Sequence, residues 1–330
     1  MNNAQDTETS FDGQVMADIV DRFPHLAVAN ANAGLLTTYR VGGAVTAYFV
    51  AESVDDLKAL GECVGGRMVS MLPIGFGSNL LVADRGFSGL AVSLASTMSK
   101  IERFDESSVR VGARVSLPVL ARWTVDDSLT GFEWAVGVPG TIGGAVRMNA
   151  GGHGSDMARS LERVRVVDVR TGDDRWLHPD ELALGYRSST LAAHSVVVEV
   201  ELALQRATDG DGPAELRSIV SWRRDNQPGG HNAGSVFANP KGDSAGRLID
   251  SCGLKGFRIG SASVSNKHAN FIQADSGGTA GDVHAVMAHV RNTVANQTGV
   301  ELNLENRLAG FSPSELAEVG IPSDQVGFSA

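Results

Sequence analysis

Residues 131–152 read Gly-Phe-Glu-Trp-Ala-Val-Gly-Val-Pro-Gly-Thr-Ile-Gly-Gly-Ala-Val-Arg-Met-Asn-Ala-Gly-Gly, with glycine and alanine set between apolar side chains. Pro139-Gly140 and Gly143-Gly144 mark two turns within the run. Such a segment contributes little core volume. Where glycine stands, the main chain is uncovered and a ligand or a second backbone can approach it closely. A row of uncovered amides forms a concavity suited to an anion such as a pyrophosphate. A tight glycine-rich corner in a sheet protein fits the same residues, and the segment alone does not separate the two readings.

The surrounding pattern mixes strand and helix. The polar, acidic residues 1–14 read as disordered and 15–29 as a short helix. Residues 44–51 read as a strand. Ser53 then caps a helix with Asp55 and Asp56 in its first turn, Leu57, Leu60 and Val64 on one face, and Gly65-Gly66 as its stop. Strands are expected at 68–74, 89–94, 101–104, 109–111, 161–169, 175–177 and 196–204, and a helix at 117–129. Residues 208–213 are polar and glycine-rich, the best boundary in the chain. Beyond them 214–224 reads as helix. Residues 280–297 form the clearest helix, with Val283, Val286, Met287, Val290 and Val294 on one face and Gly299 at its end. A strand is expected at 300–310. The fold class is α+β with several small sheets.

At 330 residues the chain is long enough for two or three domains. A net charge of −10, with no basic cluster beyond Arg223-Arg224, argues against a nucleic-acid partner. Cys63 and Cys252 read as buried free thiols of a reducing compartment. No Cys/His pair has zinc spacing, so no metal is expected. The polar opening is unlike a secretory signal, and no run of apolar residues is long enough for a membrane span. The expected location is cytoplasmic, with no membrane insertion.

Gly75-Phe-Gly-Ser-Asn-Leu80 follows a strand, yet it lacks the third glycine of a Rossmann fingerprint and the lysine of a P-loop. Together with 139–144 it suggests one extended phosphate-bearing ligand held from two sides, or two unrelated turns. In Gly185-Tyr-Arg-Ser-Ser189 an arginine stands between an aromatic ring and two hydroxyls. Arginine forks onto carboxylates and phosphates, although a lone arginine is commonly a solvated surface residue. Ser235 and Asn239 share a loop without the G-x-S-x-G elbow of a hydrolase. Glu305 and Arg307 alternate onto one face of the last strand, which also suits a solvated ion pair. His268 alone reads as a loop histidine. Residue by residue, these patterns reach an anionic, nucleotide-like ligand and stop there.

Taken in order, seven segments resemble one family. They are Thr37-Thr-Tyr-Arg-Val-Gly-Gly43, Gly75-Phe-Gly-Ser-Asn-Leu-Leu81, residues 137–151, Gly185-Tyr-Arg-Ser-Ser189, Ala233-Gly-Ser-Val-Phe237, Ala245-Gly-Arg-Leu-Ile249 and Lys267-His-Ala-Asn-Phe271. The family is UDP-N-acetylenolpyruvoylglucosamine reductase, and the likeness runs from about residue 34 to about 310. It implies an FAD-binding domain of the vanillyl-alcohol-oxidase (PCMH) type at 30–208, built of two subdomains (about 30–95 and 96–208). An α+β substrate domain follows at 209–310, with tails at 1–29 and 311–330.

By that resemblance Gly75, Gly77, Ser78, Asn79, Leu80, Pro139, Gly140, Thr141, Gly144 and Asn149 bind FAD. The implied reaction is NADPH-dependent reduction of UDP-N-acetylenolpyruvoylglucosamine to UDP-N-acetylmuramate in peptidoglycan precursor synthesis. Hydride delivery to the terminal vinyl carbon builds negative charge on the neighbouring carbon and its carboxylate, which calls for preorganised donors. The family correspondence puts Arg187 and Glu305 there, with Glu305 protonated or nearly so. Ser235 matches the proton donor, and Tyr186, Asn239 and His268 match substrate contacts. The alternative is another flavin-dependent oxidoreductase on the same scaffold, which would lack the Ser235 and Glu305 elements.

There are departures. Only Pro-Lys-Gly-Asp separates Asn239 from Ser244, and the three tyrosines stand at 39, 48 and 186, so the resemblance is to the branch without a tyrosine lid insertion. Arg223, Arg224, Lys241 and Lys267 are candidates for the diphosphate by charge alone. Ala238 replaces a common lysine, and Asn306 a common valine.

Overall fold

A computed structural model describes residues 3–208 and 210–322, with side chains from residue 13 onward. Strand Ala44–Ala51 buries Val45, Ala47, Phe49 and Ala51 on alternate positions. It pairs antiparallel with Ala27–Asn32 and parallel with Phe87–Leu94, which pairs parallel with Met71–Pro73. Parallel strands need a crossover, and helix Val54–Val64 supplies it. Ser53 and Asp56 close a capping box at its start, and Gly65 ends it in the left-handed conformation.

A second sheet is wholly antiparallel, in the order Asp174–Leu177, Leu161–Asp168, Ser195–Ala203, Ser108–Gly112, Ile101–Arg103. Its middle strand is almost continuous in valine and leucine because both of its faces are covered. The two sheets share one apolar core that includes Phe49, Leu60, Val111 and Val200.

Helix Ala280–Thr298 lays Val283, Val286, Met287, Val290 and Val294 onto a separate core, together with strands Ala262–Val264 and Ile272–Ala274. Each such side chain stabilises the fold by about 1.5–3 kcal/mol relative to exposure. Tyr39, Leu81 and Ala83 also belong to this core. Asp84 accepts hydrogen bonds from Ala280 N and Gly281 N, both at 2.8 Å, and so ties the helix start to the first sheet region. The mixed α+β architecture read from the pattern is the one observed.

Several boundaries differ. The first helix spans Asn3–Arg22, not 15–29, and its described side chains Val15, Met16 and Ile19 are buried in the core. Residues 3–14 are therefore helical where disorder was expected, residues 1–2 lie outside the described residues, and Ala27–Asn32 is a strand. Only Met71–Pro73 of the expected 68–74 strand forms. The helix from Leu117 stops at Asp126, and Leu129–Thr130 pairs with Gln205–Arg206. Helix Gly212–Asn226 starts inside the expected hinge, of which residue 209 lies outside the described residues. Cys63 is buried, whereas Cys252 is only half-buried at the end of helix Ala245–Ser251. Of residues 300–310 only Arg307–Ala309 is strand, because its partner Leu80–Val82 is equally short. No described helix is long and apolar enough to cross a membrane.

Candidate active site

The two glycine-rich loops meet. Ser78 Oγ donates to the Pro139 carbonyl at 3.1 Å. Gly75 faces Thr141 so closely that a Cβ there would lie 2.5 Å from Thr141 Oγ1. Gly77 has φ +62°, and its Cβ would lie 2.2 Å from the Leu36 carbonyl. Neither position admits a side chain without moving the loop. Thr141 caps the short helix Ile142–Arg147, its Oγ1 accepting from Gly144 N at 3.2 Å. That helix was not expected from a Gly-Gly pair. It is fixed from outside by backbone bonds from Ile142 N to Val115 O and from Gly143 N to Ala113 O.

Between the loops and the Ala280–Thr298 half of the molecule lies a cavity of about 530 Å³. Gly75, Gly77, Ser78, Asn79, Leu80, Pro139, Gly140, Thr141 and Gly144 line it, and so do Arg187, Ser235 and Glu305. The last three come from distant parts of the chain. Strand Arg307–Ala309 runs beside Leu80–Val82, which brings Glu305 next to Asn79, whose Nδ2 donates to the Glu305 carbonyl at 3.1 Å. Glu305 N in turn donates to Val236 O at 2.8 Å, binding the serine loop to the same edge.

Arg187 sits in a tight turn closed by Gly185 and Ser188 and adopts φ +55°. A non-glycine residue in that region costs on the order of 1–3 kcal/mol and marks an imposed conformation. The turn aims the guanidinium inward: Nε donates to Glu305 Oε1 at 2.9 Å and Nη2 to Gly151 O at 2.8 Å. Burial pushes the Glu305 carboxyl above its ordinary value, and the Arg187 charge and hydrogen bond pull it partway back. The Ser235 hydroxyl makes no hydrogen bond among the described residues, so its proton is uncommitted.

Other expected residues fall elsewhere. Asn149 is buried outside the lining. Its Nδ2 donates to Gly185 O at 2.9 Å and its Oδ1 accepts from Ala158 N at 3.0 Å, which braces the Arg187 turn. Tyr186 is exposed outside the cavity, its ring 5.3 Å from the Arg187 guanidinium carbon. Asn239 caps the start of helix Ala245–Ser251 by accepting from Ala245 N at 3.0 Å. His268 packs edge-on to Phe271 beside Gly246 of that helix, and burial, followed by the Lys255 charge, holds its pKa below the ordinary value. Neither of these two lines the cavity.

Pattern reasoning missed several lining residues. Arg147 binds the carbonyls of Leu191 and Ala192 at 3.0 and 3.1 Å, and also that of Ser195. Burial and the Arg307 charge bring its pKa down to about 10. Its place in the glycine-rich run was a signal left unused. Trp222 packs edge-on to His153 at 5.2 Å beside Arg223 at the cavity wall.

The donor set suits an extended anion. A smaller recess adjoins Gly75, Thr141 and Gly144, and Arg114 lines it, stacked 4.3 Å over Phe76. Arg114 Nε and Nη1 are buried without a hydrogen-bond partner among the described residues. A glycine cradle with unspent guanidinium donors beside it fits a dinucleotide such as FAD.

Residues 45–177 match the family model for an FAD binding domain, and residues 226–309 match the UDP-N-acetylenolpyruvoylglucosamine reductase, C-terminal domain. UDP-N-acetylenolpyruvoylglucosamine reductase 2 of Symbiobacterium thermophilum is 42% identical over 283 residues, 84% of this chain and 90% of that protein. The reductase of a Synechococcus strain is 40% identical over 86% of this chain and 94% of its own length. The crystal structure of UDP-N-acetylenolpyruvylglucosamine reductase from Thermus caldophilus superposes with a TM-score of 0.74 at 33% identity, covering 86% of this chain and 98% of that one. The C-terminal match sets aside the alternative of another flavin-dependent oxidoreductase on the same scaffold. The chain belongs to the UDP-N-acetylenolpyruvoylglucosamine reductase family.

Proposed function

We propose that the chain performs its family's reaction, the NADPH-dependent reduction of UDP-N-acetylenolpyruvoylglucosamine to UDP-N-acetylmuramate for peptidoglycan synthesis. The observation that carries this reading is the convergence of Arg187, Ser235 and Glu305 on the cavity framed by the two glycine loops. Gly75, Gly77, Ser78, Asn79, Leu80, Pro139, Gly140, Thr141 and Gly144 would hold FAD, while Asn149 acts by bracing the Arg187 turn. Bound FAD supplies the hydride that NADPH provides.

The chain's own residues handle charge and proton. Arg187 Nη1 makes no hydrogen bond among the described residues and is free to take a carboxylate oxygen of the enolpyruvyl group. Its Nε–Glu305 bond fixes the plane of the fork. A neutral Glu305 donates a hydrogen bond where negative charge builds, and an ionised one would repel it. The raised carboxyl pKa supports the neutral form. Ser235 Oγ then delivers its proton to the carbon bearing the carboxylate and recovers one from solvent. A hydroxyl is a weak acid toward water yet competent toward a far more basic carbon held beside it. Tyr186, Asn239 and His268 are carried as substrate contacts by the family resemblance alone, since none of the three lines the cavity. A reaction needing NADPH and a nucleotide sugar belongs in the cytoplasm, where both are made.

The test is a visible absorption spectrum. The protein should carry a yellow flavin that NADPH bleaches and the enolpyruvyl nucleotide restores. A protein that takes up no FAD, or a bleached flavin that this substrate leaves bleached under anaerobic conditions, refutes the reading.

A further inference from the structure

Asn306 adjoins Glu305 and is buried, with 2% of its surface exposed. Its amide group is fully engaged. Oδ1 accepts from Tyr39 Oη at 3.0 Å, and Nδ2 donates to Asn79 Oδ1 at 2.8 Å, Ala233 O at 3.1 Å and Ser235 O at 3.2 Å. These partners lie 267, 227, 73 and 71 residues away in sequence. Two amide hydrogens serve three acceptors, so one is shared. Asn79 returns the contact: its Nδ2 donates to the Glu305 carbonyl, and its own carbonyl accepts from Arg307 N at 2.9 Å. One side chain therefore joins the flavin-side loop, the serine loop and the strand edge that presents Glu305.

We propose that Asn306 is a positioning residue that fixes the Ser235 hydroxyl and the Glu305 carboxyl relative to the Asn79 loop. The proposal rests on the reaction assigned above. An aliphatic residue could fill the same volume but would leave Tyr39 Oη, Asn79 Oδ1 and two carbonyls without their partner. Proton delivery to carbon depends steeply on placement, and a displacement of about 1 Å costs on the order of a hundredfold in rate. Flavin reduction by NADPH uses neither Ser235 nor Glu305, so loosening this hub should slow the two half-reactions unequally.

The experiment is anaerobic stopped-flow on flavin-loaded Asn306→Asp, a substitution of equal size that turns the donating group into an acceptor. Flavin reoxidation by the enolpyruvyl nucleotide should slow by about tenfold or more, with reduction by NADPH changed by less than about threefold. Equal slowing of both halves, or no slowing, overturns the proposal. Should Asn306→Asp not fold, Tyr39→Phe decides, since it removes one hydroxyl and leaves every Asn306 donor in place. A loss of about threefold or more confined to reoxidation is expected, and equal or absent effects overturn the idea. The unaltered protein run in parallel separates this outcome from failure of the reaction assignment: if it completes both halves, only the role of Asn306 is in question.

Discussion

Ser235→Ala should separate catalysis from stability. The hydroxyl has no hydrogen-bond partner among the described residues, so its removal leaves no buried group unsatisfied. The Ser235 carbonyl keeps its bond from Asn306. A change of this kind lies within about 0.5 kcal/mol, which moves the melting temperature of a chain of this size by less than about 2 °C. Loss of a positioned proton donor costs about 10²–10⁴ in rate, or about 2.7–5.4 kcal/mol of barrier. The assay is anaerobic stopped-flow at 450 nm or so, following flavin bleaching by NADPH and then recovery with the enolpyruvyl nucleotide. Bleaching should keep its rate within about threefold while recovery slows by about a hundredfold or more. Equal slowing of both halves, or an unchanged recovery, would refute the proton-donor role.

Arg187→Lys is not a conservative change, because lysine cannot keep the Glu305 and Gly151 contacts and also meet a carboxylate. The lost charge-assisted bond is worth about 1.5–3 kcal/mol, so kcat/KM should fall by about 10- to 150-fold, and undiminished turnover would count against the assignment. Gly77→Ala forces a Cβ against the Leu36 carbonyl. A fluorescence titration of the apoprotein should show FAD affinity weakened by about tenfold or more, and tight binding would contradict the loop's role. Glu305 has a folded pKa above its ordinary value, so its protonated form contributes stability that is present below the ordinary carboxylate range and lost as pH rises through the raised value. Urea unfolding from about pH 4 to about pH 8 should therefore show Glu305→Gln gaining on the unaltered protein as pH rises, and parallel profiles would exclude the shift.

What was legible in the sequence was local. Helix Val54–Val64 announced itself through Ser53, Asp56 and Gly65, each acting within a few residues, and Ala280–Thr298 through its apolar spacing. The glycine loops were legible as places for a ligand. Their contact through Ser78 and Pro139 was not, since nothing near either loop encodes the other. Helix Ile142–Arg147 was hidden because Gly143 and Gly144 lower its propensity, and backbone bonds from residues 113 and 115 restore it. The opening helix was hidden by acidic residues that look solvated, although Val15, Met16 and Ile19 anchor it. Arg187 and Glu305 lie 118 residues apart. No spacing rule joins them, and only the family resemblance put them at one centre.

In the proposed reaction Arg187, Ser235 and Glu305 act on one carbon–carboxylate unit. A crystal structure with FAD and the enolpyruvyl nucleotide bound measures this directly. The substrate carboxylate should lie within about 3.2 Å of the Arg187 guanidinium, with Glu305 in hydrogen-bond contact and Ser235 Oγ about 3–3.5 Å from the carbon to be protonated. A carboxylate held by other residues, with Ser235 Oγ turned away from that carbon, would contradict it.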